Sequence, residues 1–411
     1  MNTCHTPRLL AVVAGAVASV VAYGADAQVP DPNVPVTARP GPYDALGIRA
    51  GGFLIYPSTS VSGAYDDNIL ATNDDEEDDF VFTVNPQIAV VSNFPRHSLG
   101  FIVQSQNGLY VDHTDEDYWD FGASLGGRLD ITRNNRLTAG INAGREHEGR
   151  DDPDDPGANV TREPVKYWVY GSSLGFEQDF NRFNFGLLGT FNRNDYEEQG
   201  EESDEDERDR NLYGARLRSG YFVSPRINAF LQGGYQREQR DSSASQRDNN
   251  VYSAGIGTGI DFTGLLFGEA NVGWAVQEFD DSEFDSSSGL DYGVNLTWNP
   301  TQLTSLRLDG IGGFQPSDVG ASNLSHQIAL RVDHELLRNV LIGGQVAYTR
   351  DDFQDSGGRV DNRYDVGPDI TYRLNRHFSV GAGYVFTKQD SDDSDEEFTR
   401  NLVTMRITAQ L

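Results

Sequence analysis

The sequence predicts an all-β fold: an antiparallel up-and-down transmembrane β-barrel of about 18 strands, with 16 as the other compatible count. Three observations predict it. Apolar and polar residues alternate with a period of two from about residue 52 to the last residue. The connections between these segments alternate between short ones that are neutral or basic and longer ones that are mostly acidic. No linker or shift in composition divides the 411-residue chain beyond its N-terminal segments.

Residues 1–27 are predicted to be a secretory signal peptide. Arg8 supplies a positive charge, an apolar run extends from Leu9 to Ala22, and Ala25-Asp26-Ala27 forms a cleavage signal before Gln28. The apolar run is shorter than the roughly 20 residues that a membrane-spanning helix requires. The single cysteine, Cys4, precedes this run, so the predicted mature chain forms no disulfide.

Residues 28–51 are predicted to form a proline-rich periplasmic lead segment, and residues 52–411 the barrel. Five prolines lie between positions 30 and 42, and such a composition favours extended backbone. Both a free segment and one that folds back as a plug are compatible with this composition.

The alternation is clearest in the last predicted strand. Val403, Met405 and Ile407 fall on one face, and Thr404 and Arg406 fall on the other. Successive side chains of a strand point to opposite faces, so each such segment has one apolar and one polar face. The predicted strands are residues 52–66, 80–94, 98–111, 118–131, 136–147, 165–178, 183–194, 208–222, 227–238, 249–262, 266–278, 288–299, 303–315, 323–335, 340–350, 361–374, 378–388 and 399–411. An even number of strands places both ends of the barrel in the periplasm.

Other fold classes account for the sequence less well. A soluble β-sandwich would show the same alternation, but short turns at one end and long loops at the other are typical of outer-membrane barrels. A propeller repeats four strands, whereas each repeat here has two strands and one acidic loop. The aromatic content of 11% argues against intrinsic disorder despite the net charge of −31. That acidity also argues against nucleic-acid binding, which requires clustered Lys and Arg.

The polar face of the predicted strands would line the lumen, because a barrel of this width is not filled by its own side chains. The residues predicted to line it are Gln104, Gln106, Arg128, Asp130, Arg216, Arg218, Glu269, Asn271, Arg307, Asp309, Arg331, Asp369, Arg373 and Arg406. Mixed charges and amides suit a wet passage for hydrophilic solutes. For any one of them, a role in salt-bridge ladders that hold the wall is the favoured interpretation.

The acidic loops are expected to be solvated surface. The more specific interpretation is that they bind divalent ions near lipopolysaccharide. Asp152, Asp154, Gly157 and Glu163 match four positions of a calcium-binding EF-hand loop. Pro156 occupies a ligand position, however, and strands rather than helices flank the loop. No metal site is therefore predicted, and no cofactor motif is found.

A catalytic function is not predicted. Asp112-His113 lies in a loop and Asp333-His334 near a turn, but adjacent residues of a strand point to opposite faces. Neither pair is therefore preorganised as an acid–base couple.

Tyr43-Asp44-Ala45-Leu46-Gly47-Ile48-Arg49, Tyr56-Pro57-Ser58 and Tyr65-Asp66-Asp67-Asn68-Ile69 carry a family resemblance. These segments resemble the opening of the putative β-barrel porin type 2 family, which commonly has proline where this chain has Ala45. The resemblance is strongest over residues 43–69 and weaker through the C-terminus. It implies a porin-like barrel without catalytic residues, from a family often encoded beside exopolysaccharide synthesis genes.

The expected function is an outer-membrane pore of a Gram-negative bacterium that passes hydrophilic solutes, with secreted exopolysaccharide as a candidate. The alternative is a structural or adhesive barrel with a closed lumen, whose acidic loops bind ions or partners. The expected partners are outer-membrane lipid, lipopolysaccharide, the barrel-assembly machinery and a polysaccharide, but no nucleic acid. That machinery recognises a C-terminal strand usually ending in Phe, and this chain ends in Leu411.

Overall fold

A computed structural model describes residues 34–39, 41–153, 163–197, 208–241, 247–262, 264–354 and 358–411. The predicted signal peptide lies outside the described residues, as do the first part of the lead segment and Asp154 and Gly157 of the calcium-like pattern. Within the described ranges, no helix has the length and apolar character needed to cross a membrane. Single short helical turns lie at Val36–Ala38, Thr114–Glu116 and Ser394–Glu396.

The chain forms one short strand followed by eighteen long ones. The short strand is β1 (Ile48–Ala50), which pairs with the start of β2. The long strands are β2 (Phe53–Asp66), β3 (Asp79–Ser92), β4 (Ser98–Tyr110), β5 (Tyr118–Asp130), β6 (Asn135–His147), β7 (Lys166–Phe180), β8 (Phe183–Tyr196), β9 (Arg210–Ser224), β10 (Ile227–Arg240), β11 (Asn249–Asp261), β12 (Leu266–Phe279), β13 (Ser287–Thr301), β14 (Thr304–Gln315), β15 (Ser322–Leu337), β16 (Val340–Gln354), β17 (Val360–Arg373), β18 (Phe378–Ser391) and β19 (Phe398–Gln410).

These eighteen strands close into an antiparallel barrel. Each pairs with its neighbour in sequence, and the last strand, β19, pairs with β2 from Leu402 opposite Asp66 to Gln410 opposite Ser58. Closure satisfies the backbone groups of both edges, which is a requirement inside hydrocarbon. The predicted fold class is therefore confirmed, with 18 strands rather than 16.

The outer face of the barrel is apolar and open to its surroundings. Met405, Trp119 and Leu231 have 69%, 67% and 63% of their surface exposed, and similar residues alternate along most of the long strands. An apolar surface of this extent is unfavourable in water but suits lipid. The inner face carries the glycine, polar and charged residues that alternate with these side chains.

The two ends of the barrel differ. The turn end carries the short connections and both ends of the barrel sequence, whereas the loop end carries the long acidic connections. The turn between β7 and β8 is two residues, and Asn181 there adopts a φ of 55°, which asparagine tolerates better than most residues.

One predicted turn is placed differently in the structure. The predicted strands leave residues 300–302 as a turn, but β13 continues through Pro300 to Thr301 and the turn lies at residues 302–303. The register shifts between Trp298 and Thr301, and such an irregularity accommodates a proline that cannot donate to the ladder.

The lead segment contacts the inside of the turn end. We call its residues 34–39 and 41–44 the strap. The amide of Val36 donates to Ser305 Oγ at 2.7 Å, and Arg39 donates to the carbonyl of Gln302 at 2.6 Å. Farther along, Asp44 lies 3.9 Å from Arg373 of β17. The strap thus extends from the β13–β14 turn to β17, along the mouth of the turn end.

Candidate pore lining and loop-end closure

The residues predicted to line the lumen all occupy strand positions that alternate with the exposed apolar side chains. They therefore lie on the inner face of the closed barrel. Gln104 and Arg216 are exposed there, and Arg406 is half-buried. Within the described part of the chain, no carboxylate lies within ion-pair distance of Arg216. That these residues bound a water-filled passage stays a prediction.

Several of the charged residues form ion pairs across the wall. Arg218 of β9 makes two hydrogen bonds to Glu269 of β12, at 2.9 and 3.1 Å, and its guanidinium lies 4.0 Å above the ring of Phe230. This pair crosses β10 and β11. The ring of Phe230 fills the space over Gly257 of β11, and Arg218 lies on that ring. The glycines of the inner face thus let long side chains meet across intervening strands.

A second set of pairs lies on β14 to β17. Arg331 contacts Asp333 at 2.9 Å and Asp369 at 3.0 Å, and Arg307 lies 3.5 Å from Asp333. On the same wall, Asp309 accepts a hydrogen bond from Asn295 at 2.6 Å. Such contacts fix the side chains against the wall, in the manner of the ladders considered above.

The remaining predicted residues contact near neighbours. Arg128 lies 3.4 Å from Asp130 on the same strand, and Gln106 donates to the hydroxyl of Tyr118 at 2.9 Å. Asn271 lies beneath Gly293, where an added Cβ would come within 2.8 Å of the amide oxygen. The predicted residues are therefore spread around the wall and do not form one ring.

The loop end holds a cluster that the sequence did not predict. We call it the Asp318 clamp. The Asp318 carboxylate, in the loop between β14 and β15, accepts hydrogen bonds from Arg210 of β9 at 2.6 Å, from Arg240 of β10 at 2.7 Å and from Arg208 at 3.2 Å. Its side chain is only 2% exposed. Three strands separate β10 from β14, so these contacts cross part of the mouth.

The charges in the clamp stabilise one another. Burial alone would raise the pKa of Asp318, but Arg210, Arg240 and Arg208 outweigh it and hold that pKa well below its usual range. Arg208 also donates to Glu148 at 2.6 Å and lies 4.3 Å above the ring of Tyr196. The clamp therefore joins the loop after β14 to strands β9 and β10 and to the loop after β6.

A second inward contact lies on the opposite wall. Asp151, in the loop between β6 and β7, contacts Arg363 of β17 at 2.7 Å and Arg400 of β19 at 3.5 Å. Arg400 also contacts Asp66 at 2.7 Å, and Arg359 donates to the carbonyl of Pro153. The first residues of this loop thus reach over the mouth to strands on the far side.

Sequence reasoning missed both contacts because their partners lie far apart in the chain. Arg210 and Asp318 are 108 residues apart, and Arg363 and Asp151 are 212 apart. The alternation along several strands does place an arginine on the inner face near the loop end. This pattern identifies the arginines but not the loops that contact them.

The histidine pairs do not form an acid–base couple with their neighbouring aspartates. His113 contacts Glu77 and lies 3.2 Å from Asp79, and these carboxylates outweigh the effect of burial and raise the pKa of His113. Asp333 faces the lumen, whereas His334 contacts Thr304 on the outer face at 2.9 Å.

The described part of the chain contains no group of three or more His, Cys, Asp or Glu arranged to hold a metal ion. Of the calcium-like pattern, Asp152 and Glu163 are described, and Glu163 contacts Lys166 at 3.1 Å.

The chain is similar to solved porin structures over most of its length. A BenF-like porin from Pseudomonas fluorescens is 10% identical, with a TM-score of 0.47, and the match covers 87% of this chain and 99% of that one. OccAB2 from Acinetobacter baumannii is 11% identical, with a TM-score of 0.46, and the match covers 90% and 99%. OpdO from Pseudomonas aeruginosa is 13% identical, with a TM-score of 0.45, and the match covers 87% and 97%.

No curated protein matches the chain. The sequence profile described as "Putative beta-barrel porin 2" matches residues 41–411, which is the whole described barrel together with β1 and the end of the strap. This match confirms the family resemblance, both over residues 43–69 and through to the C-terminus. The chain belongs to the putative beta-barrel porin 2 family.

Proposed function

We propose that the protein is a pore in the outer membrane of a Gram-negative bacterium and that hydrophilic solutes pass along its inner face. One observation carries the proposal: eighteen strands close into a barrel that is apolar outside and charged inside. A barrel of about 16 to 18 strands is too wide for its own side chains to fill. Membership of a porin family supports both the pore and the membrane.

The charges of the inner face support a wet interior. Arg216 is exposed on that face with no ion-pair partner within 4 Å in the described ranges, and Gln104 is exposed as well. A charge without an ion pair would cost several kcal/mol in a dry cavity, so water is expected to reach it. The porin family resembles non-enzymatic channels, and no reaction is proposed for this chain.

The nature of the solute is a finer proposal. The family resemblance favours a secreted exopolysaccharide, and the mixture of Arg, Asp, Asn and Gln on the wall would bind hydroxyl groups as both donors and acceptors. Lipopolysaccharide and membrane lipid are the proposed neighbours of the outer face. The barrel-assembly machinery is the proposed partner of β19 during insertion.

The second candidate is a barrel that is closed at rest and acts through its loops. The Asp318 clamp and the Asp151 contacts favour it, because both draw loops inward over the mouth. In that case the acidic loops would bind ions or partners while the lumen stays blocked.

Single-channel recording in planar bilayers separates the two candidates. The purified protein is expected to give stepwise conductance, and Arg216→Ala is expected to shift its cation-to-anion selectivity towards cations. The control is Met405→Leu, which changes only the lipid-facing side. A protein that inserts but never conducts would disprove the pore and favour the closed barrel.

A further inference from the structure

We propose that a recess in the inner wall binds one ring of a neutral, polyhydroxylated ligand such as a hexopyranose. The wall recess lies over β15 to β19 and is lined by Arg331, Gln345, Asp365, Asp369, Thr404 and Arg406. Its empty volume is about 630 Å³, counting the space continuous with the lumen.

The recess exists because its floor has almost no side chains. Gly367, Gly381 and Gly383 occupy successive inner positions of β17 and β18. The β17–β18 ladder is also interrupted at Gly367 and Pro368 and resumes at Asp369 opposite Gly383. Pro368 has no N–H to donate, which accounts for the interruption.

The polar rim is held in place by its own contacts. Arg331 is fixed between Asp333 and Asp369, and this pair lies directly over Gly343, where an added Cβ would come within 2.7 Å of both side chains. A rim whose donors and acceptors are fixed before binding loses little entropy when a ligand arrives.

One carboxylate of the recess is buried and only partly satisfied. Asp365 is 4% exposed, and Thr387 donates to its Oδ1 at 2.7 Å, but none of the described residues donates a hydrogen bond to its Oδ2. The nearest cation, the Nε of Arg363, lies 3.4 Å from Oδ2. A buried acceptor left in this state is costly, so we expect the Asp365 side chain to turn towards a hydroxyl that enters the recess.

The balance of charge and apolar surface identifies the ligand class. Arg331 and Arg406 offset Asp365 and Asp369, so neither a free anion nor a free cation is favoured. A hydroxyl suits both kinds of group because it donates and accepts. Leu402 and Val385 also line the recess and would contact the C–H groups of a ring.

The proposal rests on the proposed function only in treating the inner face as reachable from water. Binding is therefore measured separately from conductance. The probe is methyl β-D-glucopyranoside. Its binding to the full chain is measured by saturation-transfer NMR in a detergent without a sugar headgroup. The wild-type protein is expected to transfer saturation to the ring protons of the probe.

The blocking variant is Gly383→Leu. A Cβ at Gly383 would meet its nearest atoms at 3.8 Å, so the backbone accepts a side chain that then fills the recess. The matched control is Gly259→Leu, on the inner face of β11, where the nearest atom also lies at 3.8 Å. Gly383→Leu should weaken binding by roughly tenfold or more, about 1.4 kcal/mol, and Gly259→Leu should leave it unchanged.

A second variant, Asp365→Asn, keeps the shape of the side chain and is expected to weaken binding as well. The proposal is overturned if the wild-type protein shows no transfer, or if Gly383→Leu and Gly259→Leu bind equally well. Conductance without binding would disprove the sugar site in the recess but not the pore. Binding without conductance would disprove the pore but not the site.

Discussion

At the scale of single residues, the decisive feature is a buried carboxylate surrounded by arginines. Asp318 lies among Arg208, Arg210 and Arg240, all of them less than 10% exposed at the side chain. Removing one charge from such a cluster leaves the others buried without compensation. That loss commonly costs about 3–5 kcal/mol, far more than an exposed pair contributes.

The substitution Asp318→Asn is therefore expected to release the loop between β14 and β15. We expect faster proteolysis at the loop end and a larger or more frequent conductance, because the mouth loses an inward contact. Asp285→Asn, at an exposed position in the loop after β12, is the control and should change neither. Unchanged proteolysis and conductance in Asp318→Asn would show that the clamp does not hold the loop.

Asp209 gives the loop end a dependence on pH. Burial, together with the neighbouring Asp195, raises the pKa of Asp209 from 3.8 to about 7. The folded state thus holds this proton more tightly than the unfolded chain does. Protonated Asp209 therefore contributes its full stabilisation of the folded state below pH 3.8. This stabilisation falls as the pH rises towards 7 and is absent above pH 7.

The amide of Tyr196, which donates to Asp209 at 2.7 Å, should report this titration. We expect its hydrogen-exchange protection factor to fall between pH 5.5 and pH 8. In Asp209→Asn the fall should disappear, since the amide oxygen still accepts the bond but no longer titrates. An equal fall in both proteins would assign the effect to another group.

At the scale of elements, the strap is the part whose contacts are easiest to separate from the barrel. Its central bond joins the Val36 amide to Ser305, which is fully buried on β14. Ser305→Val removes the acceptor by replacing the hydroxyl with a methyl group, and it adds a second methyl group. A hydrogen bond of this kind contributes about 1 kcal/mol, so exchange in residues 34–39 should be roughly fivefold faster.

Ser124→Val is the matched control for the strap, because Ser124 lies on the inner face of β5, far from Ser305 in the barrel. It should leave exchange in residues 34–39 unchanged. Equal exchange in the wild-type protein and in Ser305→Val would mean that the strap is held by other contacts.

The strands could be predicted from the sequence because each carries its own signal. In β19, Val403, Met405 and Ile407 report the lipid face without reference to any other strand. Several strands continue past their predicted ends at the loop end; β16 reaches Gln354, for example. Beyond the lipid, neighbouring strands still form backbone hydrogen bonds, but their side chains no longer need to be apolar. The apolar alternation therefore ends before the strand does.

The candidate site was only partly predictable. Parity along a strand places Arg218 and Glu269 on the inner face, but their meeting depends on the glycines of β11 between them. The Asp318 clamp and the wall recess depend on contacts between distant parts of the chain. A single sequence without aligned relatives carries no signal for those contacts.

At the scale of the whole molecule, an outer belt of ion pairs repeats around the loop end. Arg145, Arg193 and Arg237 lie on β6, β8 and β10, and each pairs with an acidic residue that follows the second strand after its own. The pairs are Arg145 with Glu197, Arg193 with Asp241 and Arg237 with Asp280, at 2.7, 2.8 and 2.7 Å. Exposed pairs contribute about 0–1 kcal/mol each, so closure and lipid contact stabilise the barrel far more.

The two faces of the barrel should respond differently to the same new charge. Leu174 is 58% exposed on the outer face of β7, and Ser173 beside it faces inward. Leu174→Arg is expected to destabilise the barrel in lipid by about 2–4 kcal/mol. Ser173→Arg should cost much less, because its charge would lie in water. Reversible unfolding in vesicles measures both, and equal losses would contradict the assignment of faces.

The central claim is that one side of every strand contacts lipid while the other contacts water inside the same closed barrel. Cys4 is the only native cysteine, so single cysteines introduced along β19 in a Cys4→Ser background report one position each. In vesicles, a charged thiol reagent should label positions 404, 406 and 408 quickly and positions 403, 405 and 407 slowly. Uniform labelling, or the opposite alternation, would contradict the claim.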